Sequence, residues 1–133
     1  MQIKVFVKYL FILSVIVCFA FGEKAHGFSF CGKNADCSLS FDEFIMCKKE
    51  LIATDSKTSI NSFVVTIQKI EKKETYSVQY KSKGKMFSKT LIEAIEKLHK
   101  DKKLGNIVLI EDVEIIQSGQ AAKKDSGFKI TLI

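Results

Sequence analysis

The sequence contains no proline, no tryptophan and no arginine; all 21 of its basic residues are lysine. The lack of proline leaves no proline-rich linker to divide the chain. Without arginine, the planar bidentate fork that grips phosphate and guanine is missing. The lysines alternate with acids, apart from short clusters such as Lys100, Lys102 and Lys103, so they read as a solvated surface and nucleic acid is not expected as a partner. Histidine is scarce too: His26 and His99 lie far apart, and a zinc site wants four ligands in short paired spacings. No two cysteines stand two residues apart, as a thioredoxin-like redox centre requires. No cofactor is expected. His99, alone at a helix end, has no neighbouring nucleophile or base in the sequence, so no catalytic residue is expected and the chain reads as non-enzymatic.

Long apolar runs are equally few. The run YLFILSVIVCFAF, Tyr9 to Phe21, carries no charge but is shorter than the ~20 residues of a membrane-spanning helix. Lys4 and Lys8 precede it, and small residues follow, as in a secretory signal peptide. Cleavage fits after Gly27, giving residues 1–27 as the signal and 28–133 as one mature domain; a cut after Gly22, or retention as an anchor, are the alternatives. Removing Lys4, Lys8 and Lys24 together with Glu23 takes the net charge from +6 to +4. The expected location is the periplasm, the cell envelope or the exterior, with no stable membrane span after cleavage.

Export permits disulfides. Cys31, Cys37 and Cys47 remain in the mature chain. Spacing does not determine the pair: Cys31 with Cys37 would close a hairpin-sized loop, leaving Cys47 as the spare or exchange thiol.

The stretch GKNADCSLSFDEF, Gly32 to Phe44, resembles an EF-hand loop over residues 32–43. Asn34, Asp36, Ser38, Ser40 and Glu43 fall at ligand positions. Gly32, however, supplies no ligand at the first position, and Cys37 stands where the turn wants glycine. No entering helix precedes it. A metal-free reading serves as well, with a short strand at Ser38–Ser40 and a helical turn capped by Asp42.

The remaining chain alternates. SINSFVVTIQKI (59–70) places Phe63, Val65 and Ile67 on one face, TYSVQYKS (75–82) groups Tyr76, Val78 and Tyr80, and EKKE between them predicts a hairpin turn. SKTLIEAIEKLHK (88–100) is an amphipathic helix with Leu91, Ile92, Ile95 and Leu98 in a stripe and Thr90 with Glu93 as a capping box. NIVLIEDVEII (106–116) is a strand broken at Glu111-Asp112, read as a bend or bulge at a sheet edge. QSGQAAKKDSG is a polar loop, and FKITLI (128–133) a closing strand with Phe128, Ile130 and Leu132 inward. The fold class expected is mainly β, a small immunoglobulin-like β-sandwich with one or two short helices.

The order of Gly32-Lys33, Ser38-Leu39-Ser40, Glu43-Phe44, Ser62-Phe63, the helix from Phe87 to Leu98, Glu111-Asp112-Val113 and Phe128-Lys129-Ile130 resembles the C-terminal domain of GldM, a gliding-motility and type IX secretion protein. The resemblance implies an immunoglobulin-like fold, an exported location and an envelope protein partner. It does not imply the motor role, since the family's membrane helix and further periplasmic domains have no counterpart in these 133 residues. The function expected is therefore an exported, non-enzymatic protein-interaction or structural module associated with that machinery. A small secreted inhibitor or effector on the same fold is the alternative, and calcium binding through residues 32–43 the third. A homodimer is left open.

Overall fold

The computed structural model describes residues 27–133; the expected signal segment, with His26 and Cys18, lies outside the described residues apart from Gly27. The chain is mainly β, as the alternation predicts. Its elements are β1 (Phe28–Ser29), β2 (Cys37–Leu39), α1 (Phe41–Met46), β3 (Ile52–Ala53), β4 (Thr58–Glu71), β5 (Glu74–Lys83), α2 (Lys89–Lys100), β6 (Leu104–Gln117), β7 (Lys123–Asp125) and β8 (Phe128–Leu132). A six-stranded sheet runs in the order β2-β8-β6-β4-β5, with β7 beside β6, and β1 and β3 form a small second sheet. The arrangement is a small, unequal sandwich. β2 joins β8 in parallel, and the other pairings are antiparallel.

The core lies on one face of the large sheet. Phe63, Val65 and Ile67 from β4, Val108 and Ile110 from β6, and Phe128, Ile130 and Leu132 from β8 are buried. They meet Phe28, Phe30, Phe44, Leu51, Phe87, Leu91 and Ile95. Rings fill the centre: Phe30 stacks on Phe87 at 5.0 Å, Phe87 tilts against Phe63 at 5.7 Å, and Phe28 stacks on Phe128 at 5.4 Å. With no tryptophan available, clustered phenylalanines supply the large buried areas that a core of this size needs.

Glu111-Asp112 forms the expected bulge, but not at a sheet edge. β4 pairs Val64 with Glu111 and Ser62 with Glu114, so β6 carries an extra residue there, and Asp112 takes φ 47°. Aspartate tolerates this left-handed geometry better than most residues. The extra residue switches the inward alternation from Val108 and Ile110 to Val113 and Ile115. β6 is central, flanked by β4 on one side and by β8 and then β7 on the other. The polar stretch expected to be a loop supplies β7. Gly127 (φ 81°) crosses directly over the bulge, where a Cβ would lie 1.7 Å from the Ile110 carbonyl oxygen, so only glycine fits.

The helix starts differ from expectation. Ser40, rather than Asp42, caps α1: its hydroxyl accepts from the Glu43 N–H at 3.0 Å and the Glu43 carboxylate accepts from the Ser40 N–H at 3.4 Å. Ser88 caps α2 by accepting from the Leu91 N–H at 3.2 Å, displacing the expected Thr90–Glu93 box. The cap residue must be extended, and Ser88, held by the Ser82 hydroxyl, is the one that is.

The EKKE turn puts Lys72 and Lys73 at φ 51° and 66°, a two-residue hairpin connection in which both central residues are left-handed. Lysine resists that region. Replacing Lys72-Lys73 by Asn-Gly is expected to stabilise the domain by about 0.5–1 kcal/mol, read as a higher urea midpoint at unchanged m-value.

Candidate functional site: an open sheet face

The candidate pair Cys31–Cys37, which spacing left open, is not the one that forms. Cys31 bonds to Cys47, with their Cα atoms 5.6 Å apart, and Cys37 is the free thiol. The correction has a geometric cause. Cys37 is drawn into the sheet, opposite Ile130 of β8. Cys31 turns out of the Phe30–Lys33 hairpin at φ 50°, and Cys47 sits at the C-terminal cap of α1. Phe44 of α1 packs on Phe30 at 6.1 Å, bringing the two cysteines together. Lys49 fastens the same corner, donating to the Ile45 and Cys47 carbonyls at 2.9 Å each; its burial lowers its pKa. Partial burial raises the Cys37 pKa, opposed by Lys33, so this thiol is a poorer nucleophile than an exposed one.

Of the calcium-like residues, Asp36, Ser40 and Glu43 have partners within the protein. Ser38 lies on a straight strand, where an EF-hand must wrap. The Asp36 carboxylate accepts from the Lys129 N–H at 2.8 Å and so ties the loop to β8. Ser40 and Glu43 are engaged in capping α1, and Asn34 is exposed. The roles of Asp36, Ser40 and Glu43 are structural.

Two further ionisable groups sit beside surface hollows. Glu50, in a hollow of about 280 Å³ that Leu51, Ile52, Ser59, Ile60 and Lys85 also line, bridges Lys48 at 2.8 Å and Lys85 at 3.1 Å. Hydrogen bonds from Lys48 and then Lys85 hold its carboxyl below the usual range, which suits an anchor for the β3 strap more than a proton donor. His99, at the end of α2, is half-buried with its ring stacked on Phe41 at 6.2 Å.

The feature that remains is the other face of the large sheet. Residues alternating with the core row point there, and register places them in ranks across the strands. One rank runs Lys129, Leu109, Thr66, Gln79; beside it Val64 stands between Glu111 and Lys81, and Ile107 opposes Thr131, which opposes Ser38. Val64, Ile107 and Leu109 are partly buried and lie outside the core cluster. The Thr66 hydroxyl donates to the Glu111 carboxylate at 3.2 Å, fixing the acid in the middle of the surface. The result is a strip of three partly buried apolar side chains with Thr66 and Glu111 among them and a lysine on two sides. Alternation puts Val64 and Thr66 on the second face of β4; which face the helices and the small sheet cover depends on where they dock. Among the described residues no helix is long and apolar enough to cross a membrane.

Comparison of the chain with known protein families, with curated proteins and with solved structures returned no match.

Proposed function

We propose that this protein is an exported, non-enzymatic module that binds another protein through the outer face of its six-stranded sheet. The observation that carries the reading is the partly accessible strip of Val64, Ile107 and Leu109, outside the core and flanked by Lys81 and Lys129. A rigid sheet holds these side chains in place before contact, which lowers the ordering cost of association. The partner surface this suits is apolar, with acidic residues at its margin. The Cys31–Cys47 bond is compatible with export. The resemblance to the GldM C-terminal domain, which rests on sequence alone, points to a partner in the envelope secretion or gliding machinery.

The test is capture from the native envelope, with a photo-reactive residue at Thr131 beside the strip. Ile107→Glu is expected to weaken capture at least about tenfold, the effect of ~1.4 kcal/mol, with its thermal midpoint near that of the parent. Lys89→Glu, on the exposed side of α2, is expected to leave capture intact. Equal capture by all three proteins would remove the outer face from the reading. Capture of a host protease instead of an envelope protein would turn the reading to a secreted inhibitor.

A further inference from the structure

The geometry points to a second surface: the free edge of β5, which pairs antiparallel with the same edge of a second copy of this chain. β5 ends the strand order, and among the described residues no strand lies beyond it. It runs for ten residues, and its register with β4 is unbroken from Glu71↔Glu74 to Ser62↔Lys83. Natural edge strands are commonly short, bulged or interrupted by proline. This one is none of these, and its charged residues, Glu74, Lys81 and Lys83, lie toward its two ends.

The backbone groups available on that edge follow from the ladder. The Gly84 N–H donates to the Asn61 carbonyl at 2.6 Å, one step beyond the Ser62↔Lys83 pair. Hydrogen-bonded pairs alternate along an antiparallel ladder, so Ser82, Tyr80, Val78, Tyr76 and Glu74 are bonded to β4. Thr75, Ser77, Gln79, Lys81 and Lys83 therefore aim their N–H and C=O groups outward. The side chains of Tyr76, Val78 and Tyr80 line the core-side rim of this edge, with Tyr76 47% exposed.

A second copy fits this edge better than an arbitrary strand, because the edge is complementary to itself. In a two-fold antiparallel pair, opposed residues share a face of the sheet, and Val78 can therefore oppose Val78 of the second copy. That register sets Tyr76 against Tyr80 of the second copy on the core-side rim. Ser77 meets Gln79 and Thr75 meets Lys81 at the hydrogen-bonded positions. Glu74, whose carboxylate accepts from the Tyr76 hydroxyl, opposes Ser82 of the second copy on the same face as the tyrosines. Aromatic and aliphatic cross-strand pairs of this kind stabilise sheets. The two-fold axis stands perpendicular to the sheet, so both outer faces look the same way and the strip of Val64, Ile107 and Leu109 is doubled. A partner with two sites would gain avidity from the pairing.

Light scattering of the exported protein across a concentration series reads the mass directly. The expected result is a dimer that becomes a monomer on Ser77→Pro. That substitution removes only an outward N–H, a position at which an edge strand tolerates proline, so circular dichroism and thermal midpoint should stay close to the parent. A second readout survives even if the proline variant fails to fold. On a Cys37→Ser background, Val78→Cys should form an intermolecular disulfide under mild oxidation. Gln79→Cys, which opposes Ser77 and not itself, should not. A protein that is monomeric at every concentration overturns the proposal, as does a dimer that persists in folded Ser77→Pro, or equal cross-linking by the two cysteine variants. Each outcome is independent of whether Ile107→Glu affects envelope capture.

Discussion

Phe87→Ala is expected to destabilise the domain by about 3–5 kcal/mol, the cost of emptying a large buried aromatic site whose walls cannot close. Phe87 is 3% exposed and touches three parts of the fold. Its ring lies parallel to Phe30 at 5.0 Å and against Phe63 at 5.7 Å. Its N–H donates to the Lys49 carbonyl at 3.0 Å, binding the segment before α2 to the strap that leads into β3. Removing the ring therefore separates the large sheet, the N-terminal segment and the strap together. Domains of this size have ~5–15 kcal/mol in total, so the loss is a large share. A urea titration would show a much lower midpoint at similar slope. Phe87→Leu, which keeps most of the volume, should lose roughly a third as much or less, within the ~1.5 kcal/mol of a volume-conserving swap. A change of under ~1 kcal/mol for the alanine variant, inside the usual range for surface positions, would show that the ring does not join these layers.

Breaking the Cys31–Cys47 bond ranks second. The two residues are 16 apart in sequence, and closing a loop of that size removes about 3 kcal/mol worth of freedom from the unfolded chain. At ~4–8 °C per kcal/mol for a small domain, Cys47→Ala should lower the thermal midpoint by about 12–24 °C. Reduction of the parent should lower it by a similar amount. Cys37→Ala is the control: half-buried and unbridged, it should shift the midpoint by only a few degrees and leave the sensitivity to reductant in place. The reverse pattern, with Cys37→Ala damaging and Cys47→Ala harmless, would restore the Cys31–Cys37 pairing.

Much of the secondary structure was legible because it is written in periods that single segments display. β4 and β5 extend only one residue at each end beyond the alternating stretches 59–70 and 75–82. The stripe of Leu91, Ile95 and their neighbours marks α2 because a 3.6-residue repeat has no other use there. Small features were harder. β3 and β7 have only two and three residues, too few to show a period, and they exist because β1 and β6 offer ladders to them. Ser40 and Ser88 each have a nearby polar residue, Asp42 and Thr90, that also satisfies the capping pattern. Which one caps depends on where the chain enters the helix.

Local pattern determined the mainly β class, the hairpin at EKKE and the inward row of Phe63, Val65 and Ile67, since side-chain alternation is a property of the strand itself. Tertiary structure decided the remainder. Cys31 meets Cys47 only because Phe44 docks on Phe30, and the calcium-like loop is straightened because Cys37–Leu39 pairs with β8. An alternating strand has two faces whatever its surroundings; which face is covered, and which edge stays unpaired, depends on elements distant in sequence. Those long-range choices place the open strip and the free edge of β5, on which the functional proposals rest.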